Sequence, residues 1–150
     1  MNIDGTLTES QRSLIEAAEV ASENSYSPYS VLSVGAALQT VDGHIITGTN
    51  VENASFSLTI CAERAAIVSA VSQGHKSFVS LALVAKGESL QMNKILTPCG
   101  ACRQVLAEFA QLSGHDIEII MASTDRSKIV ITTCSALLPS AMALDVLNKS

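Results

Sequence analysis

A chain of 150 residues suits one domain around one core, and a single domain over residues 1–150 is the expectation. Hydrophobic residues make up 47% and charged residues 15%, so burial is not limiting, and part of the surface is expected to be covered, as in an oligomer. The net charge of −5 and the scattering of nine basic residues from Arg12 to Lys149 exclude a phosphate-tracking stripe, so a small uncharged substrate is expected rather than nucleic acid.

Thr8 to about Glu23 reads as an amphipathic helix with Leu7, Leu14, Ala18 and Ala21 on one stripe. Tyr26-Ser27-Pro28-Tyr29-Ser30 breaks it. Two strand-like runs follow, Val34 to Thr40 and His44 to Thr49, with Asp42-Gly43 as the hairpin signal between them. Asn50 to Thr59 reads as a polar loop. Cys61 to Gln73 reads as an alanine-rich helix stopped by Gly74. Phe78 to Ala85 is nearly all apolar, as a strand covered on both faces is. Thr97 is placed to cap the next helix, with Pro98 at its first position and its end near Gly114. Ile117 to Ala122 and Ile129 to Thr133 are two more strands, and Ala136 to Asn148 reads as a helical tail broken at Pro139. Strands alternating with helices after a hairpin predict an α/β fold: a three-layer α/β/α sandwich with a mixed central sheet of about five strands.

Met1-Asn2-Ile3-Asp4-Gly5 lacks the basic and apolar regions of a secretory leader, and no apolar stretch is long enough to span a bilayer. A cytoplasmic, reducing setting is expected, with no membrane partner and with the four cysteines as metal ligands rather than disulfides.

The chemistry concentrates in Cys61-Ala62-Glu63 and Pro98-Cys99-Gly100-Ala101-Cys102. Cys99 and Cys102, three apart on a helix, share a face. Both lie in its first turns and Cys61 opens its own helix, where unpaired N–H groups and the helix dipole favour thiolates. Three thiolates hold a zinc ion and leave a fourth position for water. Glu63, beside the ligands without being one, is the candidate for moving protons. Arg64 is the candidate for offsetting the thiolate charge by donating to sulfur. Two plainer readings stand beside these: a closed structural site completed by Cys134, and Glu63 as a solvated carboxylate at a helix start.

With those residues in place, the chain resembles the cytidine deaminases, specifically their small three-cysteine type. The likeness also runs through Tyr26-Ser27-Pro28-Tyr29-Ser30, Val34-Gly35-Ala36-Ala37-Leu38, Asn50-Val51-Glu52-Asn53-Ala54, Cys61-Ala62-Glu63-Arg64, Arg103-Gln104 and Leu137-Leu138-Pro139. The resemblance implies hydrolytic deamination of cytidine and deoxycytidine to the uridine forms with release of ammonia, in pyrimidine salvage. It implies one Zn²⁺ per subunit on Cys61, Cys99 and Cys102, with Glu63 as the catalytic proton carrier. It implies a sugar-binding pair in Asn50 and Glu52 and a base-carbonyl contact at Ala62. It also implies a homotetramer whose sites are completed across subunits by Ala54, Phe56 and the tail around Met142.

Two positions depart from the family's pattern. Leu32 stands where an aromatic usually faces the base, and Met142 where one usually reaches into the neighbour's site. Both can bury a ring but lose directed stacking of roughly 0.5–1.5 kcal/mol per aromatic pair. Weaker substrate binding is one consequence; a pocket reshaped for a modified cytosine nucleoside or a blasticidin-type antibiotic is the alternative. Retention of Glu52 favours ordinary ribose recognition. A catalytically silent, zinc-stabilised nucleoside-binding oligomer is the reading from another class, and Glu63 speaks against it, since binding alone needs no proton shuttle.

Overall fold

The computed structural model describes residues 6–146. Helix α1 (Glu9–Ser22) opens on a capping box in which Thr8 Oγ1 accepts from the Gln11 N–H while the Gln11 side chain accepts from the Thr8 N–H. Strands β1 (Ser33–Thr40) and β2 (Ile45–Thr49) form the hairpin, turning where Gly43 takes φ +90°. Helix α2 (Ala62–Ser72) leads into strand β3 (Phe78–Lys86), and helix α3 (Gly100–Ser113) into strand β4 (Glu118–Ala122). Strand β5 (Ile129–Thr133) and the short helix α4 (Cys134–Leu137) follow.

The five strands form one sheet in the order β2-β1-β3-β4-β5. Only β3 and β4 run parallel, and α3 makes the crossover that a parallel pair requires. Side chains alternate across the sheet and feed two cores. Val34, Ala36, Leu38, Leu81, Leu83, Ile119 and Met121 face α2 and α3, whereas Ala37, Ala82, Val84, Ile120 and Ala122 face α1. This is the expected three-layer sandwich, and β3 is the central strand covered on both faces.

Two glycines set the helix distances. A Cβ at Gly35 would lie 1.8 Å from the Ala18 carbonyl oxygen of α1. A Cβ at Gly48 would lie 2.3 Å from the Ala66 nitrogen and 2.5 Å from the Ala62 oxygen. Helix α2 therefore rests its backbone directly on β2, which fixes the height of its first turn. Gly48→Ala is expected to cost roughly 1–3 kcal/mol by overpacking. The check is a lower denaturant midpoint at unchanged slope, accompanied by weaker zinc retention.

Three expectations need correction. Cys99, not Thr97, caps α3: its backbone is extended and its Sγ accepts from the Cys102 N–H, so Pro98 precedes the cap instead of entering the helix. Thr97 Oγ1 accepts from Arg103 Nη2 at 3.5 Å instead. The loop from Asn50 to Thr59 contains a short 3₁₀ turn at Phe56–Leu58. The tail is not one broken helix but the four-residue α4 and a 3₁₀ turn at Leu144–Val146. Pro139 removes a donor and holds Leu138 out of helical conformation. Leu147 and Asn148, which the predicted tail included, and the leader reading of Met1 to Gly5 lie outside the described residues. Among the described residues no helix is long and apolar enough to cross a membrane.

Candidate metal centre and substrate pocket

The first turns of α2 and α3 meet at the same edge of the core. Cys61 is the cap residue of α2 and Cys99 that of α3, and Cys102 lies three residues further on. Cys61 Sγ is 3.9 Å from Cys99 Sγ, and Cys99 Sγ is 3.4 Å from Cys102 Sγ. Ligands at the usual zinc–sulfur distance of about 2.3 Å sit about 3.8 Å apart in a tetrahedron. The three sulfurs thus already have the spacing of a zinc site.

Their charges make the same case. Cys61 is pulled down to about 5 by the hydrogen bond from Cys102 and, against the opposing effect of burial, by Arg64 and Cys99. Cys102 is pushed up because it donates to Cys61, is buried and faces the Glu63 carboxylate. A charge on Cys61 thus opposes ionisation of Cys102 within the group of thiols. Ionising all of them calls for a cation, and a soft sulfur donor set suits zinc. Arg64 brings Nη2 to 3.5 Å from Cys61 Sγ and 3.4 Å from the Thr59 carbonyl, and Cys61 holds the guanidinium firmly in its charged form. Arg64 Nε is buried without a hydrogen-bond partner among the described residues.

Cys134 does not join the cluster. It is buried at the start of α4, with its thiol 4.0 Å from the Arg103 carbonyl. The fully cysteine-closed site is thereby ruled out among the described residues, where all four cysteines are free thiols.

Glu63 is 3% exposed. Burial pushes its carboxyl up to about 7; its own N–H opposes, the Cys61 charge adds to the rise, and Cys102 and Arg64 oppose. It lies in a cavity of about 520 Å³ together with Leu32, Asn50, Glu52, Phe56, Cys61, Ala62 and Cys99. Tyr29, Ser30, Val34, Thr59, Leu96 and Thr97 complete the lining and carried no predicted part in the site, although Tyr29, Ser30 and Val34 fall inside motifs noted above.

Ser30 orients Glu52: its Oγ donates to Glu52 Oε1 at 2.5 Å and its N–H reaches Oε2 at 3.2 Å. Asn50 is largely committed to the fold. Its Oδ1 accepts from Ser25 Oγ and the Val34 N–H, and its Nδ2 donates to the Leu32 carbonyl, which leaves one amide hydrogen for a ligand. Cys102 and Arg64 are not part of the cavity's lining. Ala54 and Met142 also stay out of it: Ala54 is exposed on its loop, and Met142 is 59% exposed, its backbone tied to Gln104 and Gln111. Phe56 lines the cavity within its own chain, edge-on to Tyr29 with ring centroids 5.4 Å apart.

Thiolates grouped for zinc beside a buried acid, in a hollow sized for one small molecule, define a zinc hydrolase. Comparison with known proteins narrows the class. Residues 8–113 match the family described as the cytidine and deoxycytidylate deaminase zinc-binding region. A cytidine deaminase of Halalkalibacterium halodurans is 42% identical over 135 residues, covering 90% of this chain and 96% of that protein. A probable cytidine deaminase of Dictyostelium discoideum is 44% identical over 119 residues, 79% of this chain and 75% of that one. The crystal structure of cytidine deaminase from Burkholderia pseudomallei superposes with a TM-score of 0.77 at 40% identity, covering 91% of this chain and all of that one (100%). The chain belongs to the cytidine and deoxycytidylate deaminase family, and its zinc site is the trio Cys61, Cys99 and Cys102.

Proposed function

We propose that this chain is a zinc-dependent deaminase of cytidine and deoxycytidine, consuming water and releasing ammonia and the corresponding uridine nucleosides. The observation that carries the reading is the buried Glu63 carboxyl, set beside the three-thiolate centre in one cavity with Glu52.

Cys61, Cys99 and Cys102 would hold the zinc ion, which would supply the positive charge that makes a water acidic and nucleophilic at neutral pH. Glu63 then takes the water's proton and gives it to the ring nitrogen beside C4 as oxygen adds to that carbon. It next moves the remaining hydroxyl proton to the amine as the C–N bond breaks. A carboxyl group serves every transfer because it alternates between donor and acceptor forms within one turnover. Arg64 offsets the thiolate charge. The Ala62 N–H, at the open start of α2, has no partner within the helix and donates to the carbonyl of the base. Glu52, held by Ser30, accepts from a sugar hydroxyl and repels a phosphate, while the remaining Asn50 hydrogen donates to the sugar. Leu32 gives the base an apolar flank without a stacking face.

The test is absorbance loss and ammonia release from a panel of cytosine compounds. Cytidine and deoxycytidine should be consumed and cytidine monophosphate spared. Equal turnover of the monophosphate, or none of the nucleosides by zinc-loaded protein, contradicts the reading.

A homotetramer with shared sites belongs to the same proposal, with Ala54, Phe56 and Met142 as the crossing residues. Exposed Tyr26, Val31, Val51, Leu58 and Val68 support a covered surface of this kind. Light scattering should give four times the chain mass of 15.7 kDa. A monomer turning over at full rate would overturn it. Residues 1–150 are read as one catalytic domain because every described strand joins one sheet. A reducing cytoplasmic setting fits the free thiols, and the scattered basic residues fit a nucleoside rather than a nucleic acid partner.

A further inference from the structure

We propose that Asp42, His44 and His75 form a second, surface site for a borderline divalent transition ion such as nickel, copper or zinc. Asp42 and His44 flank the turn glycine of the β1–β2 hairpin, and His75 follows α2 in the turn before β3. Asp42 Oδ2 is 3.0 Å from His44 Nδ1, and Asp42 Oδ1 is 3.7 Å from His75 Nδ1. The imidazole rings lie against each other with centroids 4.9 Å apart. One ligand atom from each of the three residues lies within 4.8 Å of the others.

The donor chemistry selects the ion. Two imidazoles and one carboxylate suit the ions that prefer nitrogen, whereas magnesium and calcium call for oxygen alone. Ligands at about 2.0–2.2 Å from a metal are at most about 4.4 Å apart. The 3.0 Å and 3.7 Å separations from Asp42 fall inside that span, and solvent-exposed side chains such as Asp42 and His44 make the remaining adjustment by rotation.

Asp42 is already oriented for the task. Thr40 Oγ1 donates to Asp42 Oδ1 at 2.5 Å and accepts from the His44 N–H at 3.0 Å, the kind of outer support that ligating carboxylates have in metal sites. The two turns are joined in the backbone by the Val41 N–H donating to the Ser77 carbonyl, so the ligands are held in one neighbourhood without a metal. This place is remote from the thiolates. Cys61 caps the start of α2 and His75 lies beyond its end, and the eleven intervening helical residues span about 16 Å.

The test uses zinc-loaded protein without a polyhistidine tag, titrated with nickel chloride in a calorimeter. The expected result is uptake of one nickel ion per chain. His44→Ala and His75→Ala should each weaken it more than tenfold, and Thr40→Val about tenfold. Turnover of cytidine should be unchanged in all of these variants. A second reading needs no variant: substoichiometric nickel, being paramagnetic, should broaden the ring signals of His44 and His75 and spare His115, the third histidine of the sequence. No uptake at millimolar nickel, uptake unaffected by the histidine variants, or equal broadening of His115 overturns the proposal.

Discussion

Glu63→Gln is expected to lower turnover of cytidine by roughly 10⁴-fold, the upper end of what one acid–base group contributes, while zinc content stays unchanged. The magnitude follows from one side chain serving several proton transfers. Glutamine keeps the shape and hydrogen-bonding capacity of the carboxyl but cannot carry a proton from one atom to another. Glu63 is buried in the first turn of α2 and is not one of the three sulfur ligands, so its replacement leaves the donor set whole. The fold should not suffer, because a neutral amide in that buried place costs less desolvation than a carboxylate. The measurement is absorbance-monitored turnover alongside metal analysis of the same sample. A variant within tenfold of the native rate removes Glu63 from proton transfer. A variant that has lost its zinc makes it a structural residue.

Cys102→Ala should have the second largest effect: zinc affinity down by more than about 100-fold, beyond what outer-sphere changes produce, and turnover lost in proportion. Cys102 is fully buried, at 0% exposure, and sits 3.4 Å from Cys99 Sγ. Without it, Cys61 and Cys99 offer two sulfurs separated by 38 positions in the chain. The metal ties the start of α2 to the start of α3, so metal loss should also lower the thermal midpoint. Zinc added back should restore activity to chelator-treated native protein but not to the variant. Full zinc content and full rate in Cys102→Ala would place the metal elsewhere.

The strands and helices were legible because their signals are local and strong: the apolar run of β3, the Asp42-Gly43 turn, and Gly114 in the left-handed conformation at the end of α3. The cap of α3 was misread because Thr97-Pro98 is the ordinary way to begin a helix. A thiol rarely caps, yet Cys99 has to stand at the helix mouth to face Cys61. The tail was misread because its apolar residues imitate a helical stripe, while Pro139 and the bonds from Gln104 and Gln111 hold Met142 and Leu144 in an irregular path.

In the site, the grouping of Cys61, Cys99 and Cys102 was legible from the sequence signature, and Glu63 was singled out by its place within it. The double duty of Asn50 was not, because it depends on β1 passing close enough for its side chain to bond Leu32 and Val34. Ser30 was missed for a similar reason: its partner Glu52 is 22 positions away, and serine in a Pro-Tyr-Ser turn already has a local explanation. Gly48 gave no signal at all, since its role is defined by the α2 backbone lying over it.

The most direct test of the account is zinc-edge X-ray absorption on extensively dialysed, active protein. The account predicts three sulfur neighbours at about 2.3 Å and one lighter neighbour that exchanges when a substrate analogue is added. Four sulfur neighbours, or a zinc-free sample that deaminates cytidine at full rate, would contradict it.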